Sequence, residues 1–162
     1  MDALRIRDVG CDDVATWMAL SKEYDGYVLE TAADLAEWYE GGVASLSFGD
    51  YMAAKIGKRE AFMAVDAGGE CCGIVAVSRR NNNITFFGTF HRCDVLPVGD
   101  FLLRHALSEL DARRGVKITG LKSRAEHIRK INELFGKHGF VRQGDVLENG
   151  VPVVCLEKSA AG

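Results

Sequence analysis

The sequence predicts an α/β fold: a mixed, mostly antiparallel sheet with helices on both faces. Three observations carry this. Apolar segments 61–65 and 73–77 flank Asp66-Ala67-Gly68-Gly69-Glu70, a hairpin loop. Segments 141–147 and 151–156 flank Glu148-Asn149-Gly150, where Asn-Gly is the strongest short hairpin signal. Between these pairs lie two segments with apolar residues at helical spacing.

In chain order, Leu4, Ile6 and Val9 alternate with charged residues and read as a half-buried strand. Asp12 or Asp13 caps a helix carrying Val14, Trp17, Met18 and Ser21. A second helix is expected from Thr31, with Asp34 as its acidic partner and Gly41-Gly42 as its stop. Segment 45–58 forms a third helical piece. Asn81-Asn82-Asn83 tolerates positive φ and turns the chain into a strand over 84–90. Gly88 within that strand signals a bulge or a close approach by another group. A helix over 100–114 buries Leu102, Leu103, Ala106, Leu107 and Leu110 and stops at Gly115. After a strand over 116–121, Ser123-Arg124-Ala125-Glu126 reads as a capping box. The helix behind it, over 123–138, buries Ile128, Ile131, Leu134 and Phe135 and ends at Gly139-Phe140.

At 162 residues and 48% hydrophobic content the chain is long enough for one domain with a full core, 1–162. A net charge of −3 gives no general attraction to nucleic acid or anionic lipid, so neither partner is expected. No apolar run approaches the roughly 20 residues that span a bilayer. The N-terminus lacks the basic and apolar regions of a signal peptide. Five cysteines show no C-x-x-C pair, so a disulfide framework is not expected and a reduced cytoplasm is the expected location. His91-x-Cys93-Asp94 and Cys71-Cys72 lack zinc-finger spacing, and no metal is expected.

The element order strand, loop, helix, strand, helix, Gly139-Phe140, strand resembles the GNAT superfamily of N-acetyltransferases over nearly the whole chain. That resemblance implies a sheet opened between its fourth and fifth strands, and acyl transfer, acetyl first, from acyl-CoA to a primary amine of a small molecule or peptide. Its pyrophosphate loop, Arg/Gln-x-x-Gly-x-Gly/Ala, falls on Asp94-Val95-Leu96-Pro97-Val98-Gly99. Val98, Gly99 and Asp100 thereby become cofactor-binding positions. Gly99 keeps the last glycine, Asp94 replaces the Arg or Gln, and Pro97 replaces the first glycine. Pro97 has no N–H to donate, and carboxylates at Asp94 and Asp100 repel a phosphate.

The family's later helix usually carries a tyrosine that protonates the departing thiolate; Phe135 stands there and keeps only the packing. For the chemistry, His91 is the expected base and His138 a replacement acid, with a solvated loop or helix-end residue as the alternative for each. The amide of Thr89 or Phe90 falls where the family polarises the thioester carbonyl; an ordinary ladder hydrogen bond is the alternative. Tyr24, Asp25, Tyr27 and Glu30, between the first two helices, fall where the family covers the acceptor pocket and are expected to recognise the amine; a polar helix connection without a role is the alternative. Lys122, Arg124, Arg129 and Lys130 form a basic stretch; the resemblance implies Arg124 or Lys130 as a contact for the 3′-phosphate end of CoA, with a solvated helix face as the alternative. Two other readings stand beside transfer from acetyl-CoA. One is a domain of this fold that binds or regulates without catalysis; the other is an enzyme with a donor other than CoA. The exposed final strand makes a homodimer an expectation.

Overall fold

The computed structural model describes residues 3–31, 46–148 and 151–161. Its strands are β1 Arg5–Asp8, β2 Ala61–Val65, β3 Cys71–Ser78, β4 Asn83–Thr89, β5 Val116–Leu121, β6 Phe140–Glu148 and β7 Val151–Lys158. The helices are α1 Val14–Thr31, α2 Leu46–Gly57, α3 Val95–Ser108 and α4 Glu126–Lys137. They form one sheet in the order β1-β2-β3-β4-β5-β7-β6. Every neighbouring pair is antiparallel except β4 with β5, which are parallel and paired through Asn83 and Lys117. Beyond that pair the two strands part.

Side-chain alternation sends the apolar residues of the central strands to both faces. On one face Phe62, Ala64, Cys72, Val75 and Val77 pack under α3 and α4 through Val98, Leu102, Ile128, Ile131 and Phe135. On the other, Met63, Cys71, Ile74 and Ala76 pack with Trp17 and Leu20 of α1 and Met52 of α2. Adjacent Cys71 and Cys72 therefore belong to different cores.

Several expected boundaries move, each for a physical reason. Neither Asp12 nor Asp13 is the N-cap: Gly10 takes that place before a short helical turn over Cys11–Asp13, and Asp13 Oδ2, three residues on, accepts the Gly10 N–H at 2.8 Å. The chain stays helical from there to Thr31, so Tyr24, Asp25 and Tyr27 lie on α1 rather than in a connection. The helix expected from Thr31 to Gly41-Gly42 lies outside the described residues. So does the Asn149-Gly150 turn, although β6 and β7 pair on either side of it. Gly88 marks a close approach and not a bulge, since a Cβ there would meet Tyr24 Cε1 at 2.9 Å. The register shift of β4 against β3 falls instead near Thr85.

Helix α3 occupies Val95–Ser108 in place of 100–114. Pro97 is tolerated because the first turn leaves its N–H groups without intrahelical partners. At the other end Gly115 is not the stop. Asn82, buried and at φ +56°, captures the following loop. Its Oδ1 accepts the Asp111 N–H at 2.8 Å, and its Nδ2 donates to the carbonyls of Asp111 at 3.0 Å and Gly115 at 3.2 Å. Nor is Ser123 an N-cap. Its Oγ accepts the Ala125 N–H at 3.1 Å, and α4 begins one residue later, at Glu126. Gly139, at φ +89°, ends α4.

Asn82 thus holds the turn that returns the chain to β5. Replacing it by alanine strands several backbone groups in a buried site, at about 1–3 kcal/mol for each group left unpaired. We expect Asn82→Ala to lower the midpoint of urea unfolding without changing its slope. A midpoint equal to that of the parent protein would show that the loop does not depend on this side chain.

Candidate active site

Where β4 leaves β5, its backbone loses its sheet partner on that side. Phe90 donates its N–H back across β3 to Cys72 at 2.9 Å. Backbone groups alternate along a strand, so the N–H and carbonyl of Thr89 point the other way, into the opening. Buried backbone groups need partners, and two side chains supply them. Tyr24 reaches in from α1, and its Oη accepts the Thr89 N–H at 2.9 Å and donates to the Thr89 carbonyl at 3.1 Å. His127 reaches in from the first turn of α4, its Nε2 lying 2.9 Å from the same carbonyl.

A carbonyl only accepts, so this contact assigns the His127 proton to Nε2 and leaves Nδ1 without one. The Thr89 Oγ1 and Tyr24 Oη lie 3.1 and 3.2 Å from Nε2. The ring stacks on Tyr27, centroids 5.6 Å apart and 14° from parallel, and lies 5.7 Å from the ring of His91. Burial lowers the pKa of His127, and the neighbouring His91 adds to this against the pull of the Thr89 carbonyl. The imidazole is therefore held neutral. Burial likewise pushes the pKa of Tyr24 up, so its phenol keeps its proton.

His91 follows β4 and is exposed. Its N–H donates to Glu23 Oε1 at 2.8 Å, and its Nδ1 lies 3.4 Å from Tyr27 Oη. The amides of Thr89 and His91, two residues apart on the freed edge, are thus both engaged by α1, through Tyr24 and Glu23. A cleft of about 520 Å³ lies between α1 and the loop from β2 to β3, lined by residues that include Thr16, Ala19, Gly69, Glu70, Phe90 and Arg92, and none of Tyr24, Thr89, His91 and His127 lines it.

Of the residues expected from sequence, Thr89, His91, Tyr24 and Tyr27 come together here. The Phe90 amide is in the β3 ladder. Asp25 is half-buried on α1, and the side chain of Glu30 lies outside the described residues. Sequence reasoning missed His127 and Glu23. His127 stands in a polar helix start beside Ile128, and only the three-dimensional stacking on Tyr27 distinguishes it from a solvated residue.

The expected cofactor loop is the first turn of α3. Val98 and Gly99 are buried, and a Cβ on Gly99 would lie 2.7 Å from Leu134 Cδ2, so this glycine lets α3 and α4 pack closely. Asp100 is held between Arg104 Nε and His138 Nε2, both at 2.8 Å. His138 therefore bridges the end of α4 to the start of α3. Phe135 is buried edge-on to Phe87, centroids 5.1 Å apart. Arg124 is exposed in the loop before α4. Lys122 pairs with Asp145 at 2.6 Å and Lys130 with Glu126 at 3.6 Å. Among the described residues no group of three or more His, Cys, Asp or Glu side chains is placed to hold a metal ion, and no helix is long and apolar enough to cross a membrane.

No family model and no curated protein matches the sequence. Solved structures do match. A GNAT-family acetyltransferase from Streptococcus agalactiae superposes with a TM-score of 0.70 at 13% identity, over 98% of this chain and 96% of that one. An N-acetyltransferase from Staphylococcus aureus gives 0.68 at 14% identity, over 98% and 99%. The ribosomal-protein-S18-alanine N-acetyltransferase of Escherichia coli gives 0.66 at 13%, over 99% and 96%. The chain has the GNAT acetyltransferase fold.

The neutral state of His127 has a consequence for stability. A histidine whose folded pKa lies below its unfolded value, near 6.5, stabilises above that value and loses the contribution as pH falls towards the folded pKa. We expect unfolding free energy to drop between neutral pH and the folded pKa of His127. In His127→Gln that slope becomes shallower. Parallel slopes for the two proteins in denaturant titrations across this range would rule out a neutral buried imidazole.

Proposed function

We propose that this protein transfers an acyl group, acetyl first among them, from a coenzyme A thioester to a primary amine of a small molecule or peptide. The observation that carries the reading is the unpaired edge of β4 at Thr89, with a polar cluster gathered on it from α1 and α4. The fold shared with proteins named as acetyltransferases supports transfer in general. The parted strands and the first turn of α3 suit a slender thioester arm lying along β4 better than they suit its pyrophosphate. At that turn the free N–H groups are reduced by Pro97, and Asp94 stands beside them.

The thioester supplies an activated acyl carbon. The Thr89 N–H, once Tyr24 Oη yields it, is the donor available to its carbonyl oxygen, and a fixed donor of this kind stabilises the charge that develops there. His127 holds the Thr89 carbonyl, and through it the set of the Thr89 peptide. His91, at the mouth, takes the proton from the attacking amine. The carbon–nitrogen bond forms, the carbon–sulfur bond breaks, and the thiolate gains one proton for the one His91 receives. Phe135 cannot give that proton, and His138 is engaged with Asp100. Tyr24 is the phenol at the β4 edge and is the donor in this scheme.

A second reading is favoured by one observation: the Thr89 and His91 amides already have acceptors in Tyr24 and Glu23. On that reading the domain binds a ligand without turning it over. Release of free thiol from acetyl-CoA, followed with a panel of primary amines, separates the two. Amine-dependent release is expected, falling about a hundredfold or more in His91→Ala with donor affinity unchanged, as for loss of a general base. Calorimetric binding of acetyl-CoA without thiol release from any amine would favour the binding module. Equal turnover in His91→Ala would remove His91 from the chemistry.

A further inference from the structure

All five cysteines are free thiols. Cys71 and Cys72 are neighbours on β3, but their side chains enter opposite cores and so do not meet. Cys72 has a different neighbour. Its carbonyl accepts the Phe90 N–H at 2.9 Å, and the Phe90 carbonyl accepts the Cys93 N–H, also at 2.9 Å. The turn after β4 therefore folds Cys93 back over the residue bonded to Cys72, and Cys93 packs against the core that holds Cys72. There the Cys72 thiol hydrogen-bonds to Cys93.

The two sulfurs differ in their surroundings. Cys72 is 6% exposed, and its Sγ also lies 3.8 Å from the Glu70 carbonyl. Burial, and after it the contact with Cys93, pushes its pKa up to about 11, so this thiol keeps its proton. Cys93 is half-buried and in reach of solvent, with Arg92 Nη1 at 3.2 Å from its sulfur. The thiolate is the reacting form of cysteine, and a guanidinium stands beside the sulfur where that charge appears. Arg92 also fixes the turn: its Nη2 donates to the Cys71 carbonyl at 2.6 Å, and its guanidinium lies 4.6 Å from the Phe90 ring centre. A disulfide needs two nearby backbones with side chains turned towards each other. Here the turn is held against β3 with the thiols already in contact.

We propose that Cys93 and Cys72 form a reversible oxidation site, which a hydroperoxide closes into an intramolecular disulfide. The Cys93 thiolate attacks the terminal peroxide oxygen and the O–O bond breaks. Cys93 becomes a sulfenic acid, and the remainder leaves with a proton as an alcohol, or as water when the oxidant is hydrogen peroxide. The Cys72 thiol then attacks the sulfenic sulfur. The S–S bond forms, the S–O bond breaks, and the hydroxide leaves with the Cys72 proton as water. The two sulfurs together lose the two electrons that the peroxide gains. A dithiol reopens the bridge by exchange. Since His91 stands in the same turn, closure ties the mouth of the candidate site to β3. Only that consequence draws on the proposed function; the bridge itself does not.

Peroxide treatment of the folded full chain, followed by alkylation in urea and mass spectrometry, tests this. The parent protein is expected to lose two hydrogens and to yield linked peptides joining Cys93 to Cys72, with fragmentation separating Cys72 from Cys71. Dithiothreitol is expected to restore both thiols. In Cys72→Ala the sulfenic acid on Cys93 has no partner, and its capture by dimedone is expected to rise at least tenfold over the parent protein. The proposal is overturned if Cys72 and Cys93 both remain alkylatable at a peroxide dose that oxidises the exposed Cys11. Linkage of Cys93 to Cys71 or to a second molecule overturns it too, as does equal dimedone capture in parent and variant. The linkage map of the parent protein decides the matter even if Cys72→Ala fails to fold.

Discussion

The departure of β4 from β5 sets a demand that the neighbouring elements answer. Two parallel strands joined through Asn83 and Lys117 separate within a few residues, and the edge so created carries inward-pointing backbone groups at Thr89. Left unpaired in a buried place, each such group costs about 1–3 kcal/mol. The path of α1, the glycine at 88 that admits the Tyr24 ring, and the placing of His127 on the first turn of α4 all serve this one edge. The same edge is what a sheet-like ligand needs. Structure and proposed chemistry therefore meet on the Thr89 peptide.

Glu23 and Tyr24 give this site a self-contained closed state. Their acceptors sit on the Thr89 and His91 amides, the donors that a thioester arm running along β4 would use. On the proposed reading, donor binding would exchange one set of acceptors for another, so affinity would depend on how easily α1 yields. On the proposed scheme the exchange need not expose the phenol to water, since its proton goes to the departing thiolate. This differs from a site that waits with open amides, and it accords with a pyrophosphate turn weakened by Asp94 and Pro97. On the proposed reading, less of the hold on a thioester donor would fall at its anionic end and more at β4.

Much of the framework was legible in the residues because it rests on local signals. Alternation in 61–65 and 73–77, turn residues at Asp66–Glu70, and the helical spacing of Leu102, Leu103 and Ala106 each report a nearby partner or face. What escaped was set by distant partners. The end of α3 is fixed by Asn82, some thirty residues upstream, and no local pattern near Gly115 records it. Ser123 had the composition of a cap but bonds within its own turn. At the site, Thr89, His91, Tyr24 and Tyr27 were legible through the family resemblance, while His127 and Glu23 were not. Their roles exist only because α1, α4 and β4 converge. Gly99 carried a misleading signal: it matches a cofactor-loop glycine and is also required by the contact of α3 with Leu134, so its presence alone does not argue for a bound phosphate.

On the proposed reading, the freed edge of β4 at Thr89 and His91 receives the donor in place of Glu23 and Tyr24. Backbone amide resonances followed by NMR during titration with acetyl-CoA test it most directly. The Thr89 and His91 amides are expected to show the largest shifts, together with those of Glu23 and Tyr24, while Phe90, bonded to β3, moves little. Saturable binding that leaves the Thr89 and His91 amides unmoved and perturbs another surface would contradict it.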